Sequence, residues 1–220
     1  MTLKIHYASG SPWAWRVMLG LAYKGLAFEA QEIHFSKGDS QTPEFLVLNP
    51  HGQVPVLQDG DFTLYESSAI LVYLDRKYPE NPLFGSSAED NGLIWQRLLE
   101  MQNHLFPVLR GAVLPIMTGT YDENKDAVHT EYSKVPAELA KLEIWLGDKD
   151  YFFSDGISAI DITLYPMLAL MQRLLASPPA EVLDSSVILP LANKYPKLAA
   201  WMQRIEAMPR FDEVYPTHWQ

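Results

Sequence analysis

Leu3-Lys4-Ile5-His6-Tyr7 alternates apolar and polar side chains, the period-two pattern of a half-buried strand. Ser11-Pro12 follows, and a serine before a proline reads as an N-cap and the first turn of a helix. That helix is predicted to run from Trp13 to Tyr23. Trp13, Val17 and Leu21 recur at every fourth position, while Arg16, Gly20, Tyr23 and Lys24 share the opposite face, so it is predicted largely buried with one polar side. Phe28 to Phe35 reads as a second strand, and Thr42 to Leu48 as a short helix with Pro43 in its first turn. Two apolar runs, Val54 to Leu57 and Phe62 to Leu64, flank Asp59-Gly60, a strong hairpin signal. Glu66-Ser67-Ser68 then opens a helix with Ile70, Tyr73, Leu74 and Lys77 at three–four spacing, ending at Tyr78-Pro79. The order β-α-β-α-β-β-α predicts a parallel first pair joined by a right-handed crossover, extended by an antiparallel strand. The result is a mixed four-stranded sheet with helices on both faces.

Past the turn-rich stretch Glu80 to Gly85 the period changes and no strand pattern recurs. One helical run from Ser86 to about Gly119 carries Ile94, Leu98, Met101, Leu105 and Val108, with Pro107 and Pro115 expected to kink or interrupt it. A second, Asn124 to Gly147, carries Val128, Tyr132, Val135, Leu139 and Leu142. Ser158 to Leu175 and Pro196 to Met208 are two more. The predicted fold class is therefore α/β followed by all-α. Residues 1–80 form the sheet domain, 81–87 a linker and 88–220 an all-helical domain.

At 220 residues with 48% apolar side chains, the chain is long enough to bury a core without staples. Its 27 acids against 17 bases give a net charge of −10, which argues against binding nucleic acid or an anionic membrane. The longest apolar run, Leu164 to Met171, is far shorter than the ~20 residues of a membrane span. No apolar stretch follows a basic patch near Met1, so a soluble, cytoplasmic protein is expected. With no cysteine, disulfides, thiolate metal sites and a catalytic cysteine are excluded. The six histidines show no metal-ligand spacing, and no metal is expected.

Candidate chemistry gathers in the first domain. On its own terms, Val54-Pro55 is an edge-strand proline and Glu66-Ser67 an ordinary first turn. A helix N-terminus bearing a serine also suits an incoming carboxylate. Ser11 reads equally as a plain cap. Ser158-Ala159-Ile160-Asp161 has the spacing of a capping box.

Taken together, Asn49-Pro50-His51-Gly52-Gln53-Val54-Pro55-Val56-Leu57 and Leu64-Tyr65-Glu66-Ser67-Ser68-Ala69-Ile70 closely resemble the glutathione-binding half of cytosolic glutathione transferases. The strand and helix order fits that family's thioredoxin-like domain, and the helical remainder with Ser158 to Thr163 fits its second domain. The resemblance implies a cis Val54–Pro55 bond that turns the Val54 backbone outward to pair with the tripeptide. It further implies that Glu66 and Ser67 hold the γ-glutamyl end and that Gln53 donates to the glycine carboxylate. His51 and Ser40 are further candidates that read equally as solvated loop residues. Ser11-Pro12-Trp13-Ala14-Trp15-Arg16-Val17 is similar to the serine-type pattern of the tau and zeta classes, which makes Ser11 the thiol-activating residue, with Ser9 and Tyr7 as alternatives. Trp13, Phe106, Arg110 and Met117 are expected to contact the acceptor.

The activity implied is transfer of glutathione, as co-substrate, to an apolar electrophile bound between the domains. The expected setting is detoxification by a cytoplasmic homodimer, the first domain of one subunit packed on the helical domain of the other. Two alternatives stand beside it: a glutathione-dependent cis–trans isomerase resembling maleylacetoacetate isomerase, and a non-catalytic binding module on the same fold. The isomerase class shows Ser-Ser-Cys where this chain has Ser11-Pro12-Trp13. The family treats the Ser158–Asp161 motif as structural.

Overall fold

The computed structural model describes residues 2–153 and 156–219. They form two compact units, Met1–Ser87 with Glu206–Gln220, and Ala88–Ile205.

In the first unit, β1 (Leu3–Tyr7), β2 (Phe28–Glu32), β3 (Val56–Asp59) and β4 (Phe62–Tyr65) make one sheet in the order β2-β1-β3-β4. β1 and β2 are parallel with Leu3 opposite Phe28, and β1–β3 and β3–β4 are antiparallel. Ile5, Val56 and Leu57 are fully buried at the sheet's centre. Along the chain up to Ser87 its α-helices are α1 (Pro12–Tyr23), α2 (Pro43–Leu48) and α3 (Ser67–Lys77). This is the thioredoxin-like arrangement that the motifs implied. Gly60, at φ 61°, takes the left-handed turn position between β3 and β4 that favours glycine.

Two details differ from the sequence reading. β2 stops at Glu32 rather than Phe35, because the Asp39 carboxylate accepts from the His34 backbone N–H at 2.9 Å and draws the chain into a turn. The polar face of α1 is not solvated: Arg16 and Lys24 are buried. The Lys24 ammonium pairs with Asp75 at 3.0 Å and donates to the Glu80 and Asn81 carbonyls, while Asp75 accepts from the Leu83 N–H. A buried charge survives by such partners, and here they pin the residues that lead out of the sheet domain.

Among the described residues, the second unit is built on helices: α4 (Ala88–Glu100), α5 (Phe106–Met117), α6 (Tyr121–Tyr132), α7 (Val135–Leu146), α8 (Ala159–Leu175), α9 (Leu191–Lys194) and all but the last residue of α10 (Pro196–Glu206). Pro107 acts as expected. Between α4 and α5 lies one π-helical turn, Met101–Leu105, in which the Phe106 N–H reaches back to the Met101 carbonyl. The run read as one helix from 124 to 147 is two, because Pro136 lacks the N–H that would bond the Tyr132 carbonyl. Ser158 and Asp161 form the capping box of α8, and Asp161 is wholly buried.

Residues 206–220 cluster with the first unit, not with the helices that precede them in the chain. After Arg210 at φ 64°, a short α11 (Phe211–Val214) buries Phe211 and Val214. Its neighbour is α1, where Trp15 meets Phe211, Tyr215 and Trp219 at ring-centroid distances of 6.3, 5.7 and 5.3 Å.

Candidate active site

The loop from β1 to α1 carries three hydroxyl groups. Ser11 is the N-cap of α1, its Oγ accepting from the Ala14 N–H at 3.4 Å. That bond uses an oxygen lone pair, so the Ser11 O–H proton stays available for a second partner. The cap and the donor role therefore coexist on one oxygen. The first turn of α1 contains no acidic residue, leaving the positive end of the helix uncompensated. Ser9 is already engaged, its Oγ lying 2.6 Å from His218 Nδ1. Tyr7 packs half-buried against Ala8, Ala14, Ile33, Phe45, Val54 and Val56. Burial, then the nearby Glu32 charge, pushes the Tyr7 phenol up, away from the acidity a thiol-activating phenol needs.

Across the sheet, Asn49 organises the next segment. Its side-chain nitrogen donates to the Gln53 carbonyl at 2.7 Å, and its oxygen accepts from the His51 N–H at 3.0 Å. Gly52 sits at φ 60°, where a Cβ would come within 2.9 Å of the Ser40 carbonyl, so only glycine fits this approach. The Val54–Pro55 bond is cis. Both residues precede β3, whose ladder to β1 ends with His6 opposite Val56. Gln53 and His51 are exposed, whereas Ser40 is buried.

Glu66 and Ser67 come next. Glu66 adopts φ 68° and ψ 104° just before α3, a conformation that costs a non-glycine residue on the order of 1–3 kcal/mol and that clusters at ligand clamps. Ser67 is buried and its Oγ accepts from Arg16 Nη2. The Arg16 guanidinium is 5% exposed and lies 4.8 Å over the Trp13 ring, and no carboxylate pairs with it among the described residues. Its Nε has no partner there either. Burial lowers its pKa to about 10, partly offset by the Glu66 charge, so it stays cationic at neutral pH. A buried cation short of an anion, a serine whose own O–H is left to donate, and a helix N-terminus converge on one spot. An incoming carboxylate matches all three.

Helix α1 ties the two halves together. Ser11 caps it, and Arg16, five residues on and about 7.5 Å along the axis, holds Ser67. The sequence reading assigned no role to Arg16 beyond its place in the motif. A charge amid Ala14, Trp15, Val17, Met18 and Leu19 was the available signal. His218 also went unremarked, since nothing local pairs residue 218 with residue 9.

The expected acceptor residues do not meet within one unit. Trp13 belongs to the first, half-buried beneath Arg16; Phe106, Arg110 and Met117 lie on α5 in the second. Phe106 is buried at 3% exposure, which fits a core side chain, whereas Arg110 is exposed and Met117 is 48% exposed. Among the described residues, no group of three or more histidines, aspartates and glutamates is placed to hold a metal ion. No helix there is long and apolar enough to cross a membrane.

The family model described as glutathione S-transferase, N-terminal domain, matches residues 10–77, and that described as glutathione S-transferase, C-terminal domain, matches residues 99–209. The chain is similar to a zeta-class glutathione S-transferase of Euphorbia esula, 32% identical over an alignment of 186 positions that covers 76% of this chain and 82% of that one. It is 30% identical to glutathione S-transferase F7 of Arabidopsis thaliana over an alignment of 207 positions that covers 90% of this chain and 92% of that one. Among solved structures, a glutathione S-transferase from the Antarctic clam Laternula elliptica matches with a TM-score of 0.81 at 28% identity, covering 100% of this chain and 94% of that chain.

Proposed function

The chain belongs to the glutathione S-transferase family, and from that premise we propose that Ser11 activates the glutathione thiol for attack on an apolar electrophile. It is a glutathione transferase; the isomerase and binding-module alternatives are not favoured by relatives such as glutathione S-transferase F7 of Arabidopsis thaliana.

In this reading the tripeptide lies along the first unit. Arg16, Ser67 and the N-terminus of α3 hold its γ-glutamyl carboxylate, with Glu66 beside them. The Val54 backbone pairs with its middle, and Gln53 donates to the glycine end. The thiol then faces the N-terminus of α1. A free thiol titrates near ~8.5, so only a few per cent is ionised at neutral pH. Each unit of pKa depression requires about 1.4 kcal/mol of preference for the thiolate. A hydroxyl hydrogen bond to a charged sulfur, together with an uncompensated helix end, is of that size. The proton leaves to solvent, the sulfur attacks the electrophilic carbon, and the leaving group departs with the electron pair.

The observation that carries this reading is the Ser11 hydroxyl, which caps α1 through a lone pair and keeps its proton to donate. Acceptor choice is proposed to depend on Trp13 and, separately, on Arg110 and Met117. Alanine at each, assayed across a panel of electrophiles, should change the ranking of substrates. The setting we propose is detoxification in the cytoplasm by a homodimer, checked by a sedimentation mass near twice the 25.0 kDa chain. Retention on immobilised glutathione followed by turnover of a general electrophile tests the activity. Retention without turnover would favour the binding module instead.

A further inference from the structure

An activating hydroxyl works only if it is held still, and the loop that presents Ser11 has little of its own to hold it. Ala8 to Ser11 is closed by one turn bond, Ser11 N–H to the Ala8 carbonyl at 3.0 Å, and contains Gly10 at φ 78°. The restraint comes from the far end of the sequence. His218 Nδ1 lies 2.6 Å from Ser9 Oγ. A Cβ built on Gly10 would meet His218 Cε1 at 2.8 Å and Trp219 Cζ2 at 3.4 Å, so these two rings occupy the space directly over the loop. Tyr215 and Trp219 stand edge-on to Trp15, in the first turn of the helix that Ser11 caps. The cavity left between loop and segment is only about 40 Å³, roughly one water.

The segment is itself anchored. Arg210 Nη1 donates to the Leu26 carbonyl at 2.9 Å, its guanidinium pairs with Glu213, and Phe211 and Val214 are buried. Residues 210–219 are thus fixed to the sheet unit at one end, and the other end rests on the loop beside Ser11.

We infer that this segment is a strap that fixes the β1–α1 loop, and that His218 is a positioning residue for thiol activation, acting through Ser9. The inference rests on the reading of Ser11 as the activating group. The Ser9–His218 bond is exposed, so its contribution to global stability is small; what it restrains is the direction of the neighbouring Ser11 hydroxyl. A hydrogen bond to a charged atom weakens steeply as its angle opens. Loosening the loop therefore acts on the thiolate and not on the tripeptide's two ends.

The test compares His218→Ala, Ser9→Ala, the double variant and His218→Asn, whose amide oxygen sits where Nδ1 does and accepts from Ser9. The readouts are kcat, KM for glutathione, and an ultraviolet titration of the thiolate on the saturated enzyme, with Ser11→Ala alongside. His218→Ala and Ser9→Ala should each lower kcat about five- to tenfold, the size of one ordinary hydrogen bond. Each should raise the bound thiol's pKa by about half a unit to one unit, with KM for glutathione within about twofold. The double variant should be no worse than either single, since both remove one bond. His218→Asn should restore most of the loss. A lowered melting temperature with unchanged kcat and titration would make His218 plain packing and overturn the strap. So would a loss in Ser9→Ala far beyond that in His218→Ala, which would make Ser9 itself the thiol contact. If Ser11→Ala also leaves the titration unmoved, the Ser11 reading fails and the strap fails with it. A large shift in Ser11→Ala with none in His218→Ala overturns the strap alone.

Discussion

The indole Nε1–H of Trp201 donates to the Asp161 carboxylate at 2.8 Å, across forty residues of sequence. The same carboxylate accepts from the Phe152 N–H at 3.0 Å, the Ser158 N–H at 2.9 Å and the Ser158 hydroxyl at 2.7 Å. Burial pushes the Asp161 carboxyl up, against the pull of these four donors. One side chain thus joins the approach to α8, its cap, and the fully buried Trp201 of α10. Asp161→Ala removes a cap worth about 1 kcal/mol and strands two further buried donors, so a loss on the order of 3 kcal/mol is expected. At ~2–4 °C per kcal/mol for a chain of this size, the melting temperature should fall by roughly 6–12 °C. The protein that stays folded should bind glutathione with unchanged affinity. Normal stability with lost turnover would make Asp161 part of the chemistry instead.

His6 should tie stability to pH. It is buried in β1, with Nε2 donating to the Gln58 side-chain oxygen at 2.8 Å and Nδ1 unpartnered among the described residues. Burial chiefly, helped by Lys4 and opposed by the Gln58 bond, lowers its pKa below the ordinary 6.5. In the window between the folded value and 6.5, the unfolded chain holds more protons than the native one. Stability is therefore complete above about pH 6.5 and falls as pH drops through that window. His6→Gln should flatten this part of the profile. Urea midpoints of both proteins from pH 7.5 to 5 provide the check, and parallel profiles would remove His6 from the account.

Arg16 offers a separation of stability from binding. A buried guanidinium with no carboxylate partner is costly, and apolar replacement of such groups is often neutral or stabilising. Arg16→Met should therefore keep or raise the melting temperature while weakening glutathione binding about tenfold, the loss of a charge-assisted contact. Ser67→Ala should weaken binding similarly, and the double variant less than the sum, because Arg16 donates to Ser67. The thiolate titration of the saturated enzyme should barely move in either. Isothermal titration calorimetry measures the affinity; an unchanged value in Arg16→Met would remove it from the carboxylate site.

What was legible in the sequence was whatever short-range chemistry encodes. The β1 alternation, the Asp59-Gly60 hairpin, Ser11-Pro12 at a helix start and the Ser158–Asp161 box each depend on neighbours within a few residues, and each stands where it was read. The parallel first pair and the added antiparallel strands followed from connection rules. The break at Pro136 was legible and went unread, because apolar spacing continues across it. The rest is carried by contacts between distant residues. Arg16 looks like a surface cation by period alone, and its burial follows from Ser67, fifty-one residues on. The positive φ of Glu66 leaves no trace in residue type. Residues 206–219 fall within the stretch assigned to the all-helical domain, and only Trp15 and Ser9 show where they belong.

The central claim is that the Ser11 hydroxyl stabilises the bound thiolate, and an ultraviolet titration of the glutathione-saturated enzyme tests it most directly, wild type against Ser11→Ala. Removing one hydrogen bond to a charged sulfur should cost about 1.5–3 kcal/mol, moving the thiol's pKa up by about one to two units toward its free value of ~8.5. Turnover at neutral pH should fall by about tenfold or more and recover in part at high pH, with glutathione affinity little changed. Superimposable titration curves would contradict the claim and leave Ser11 as a helix cap alone.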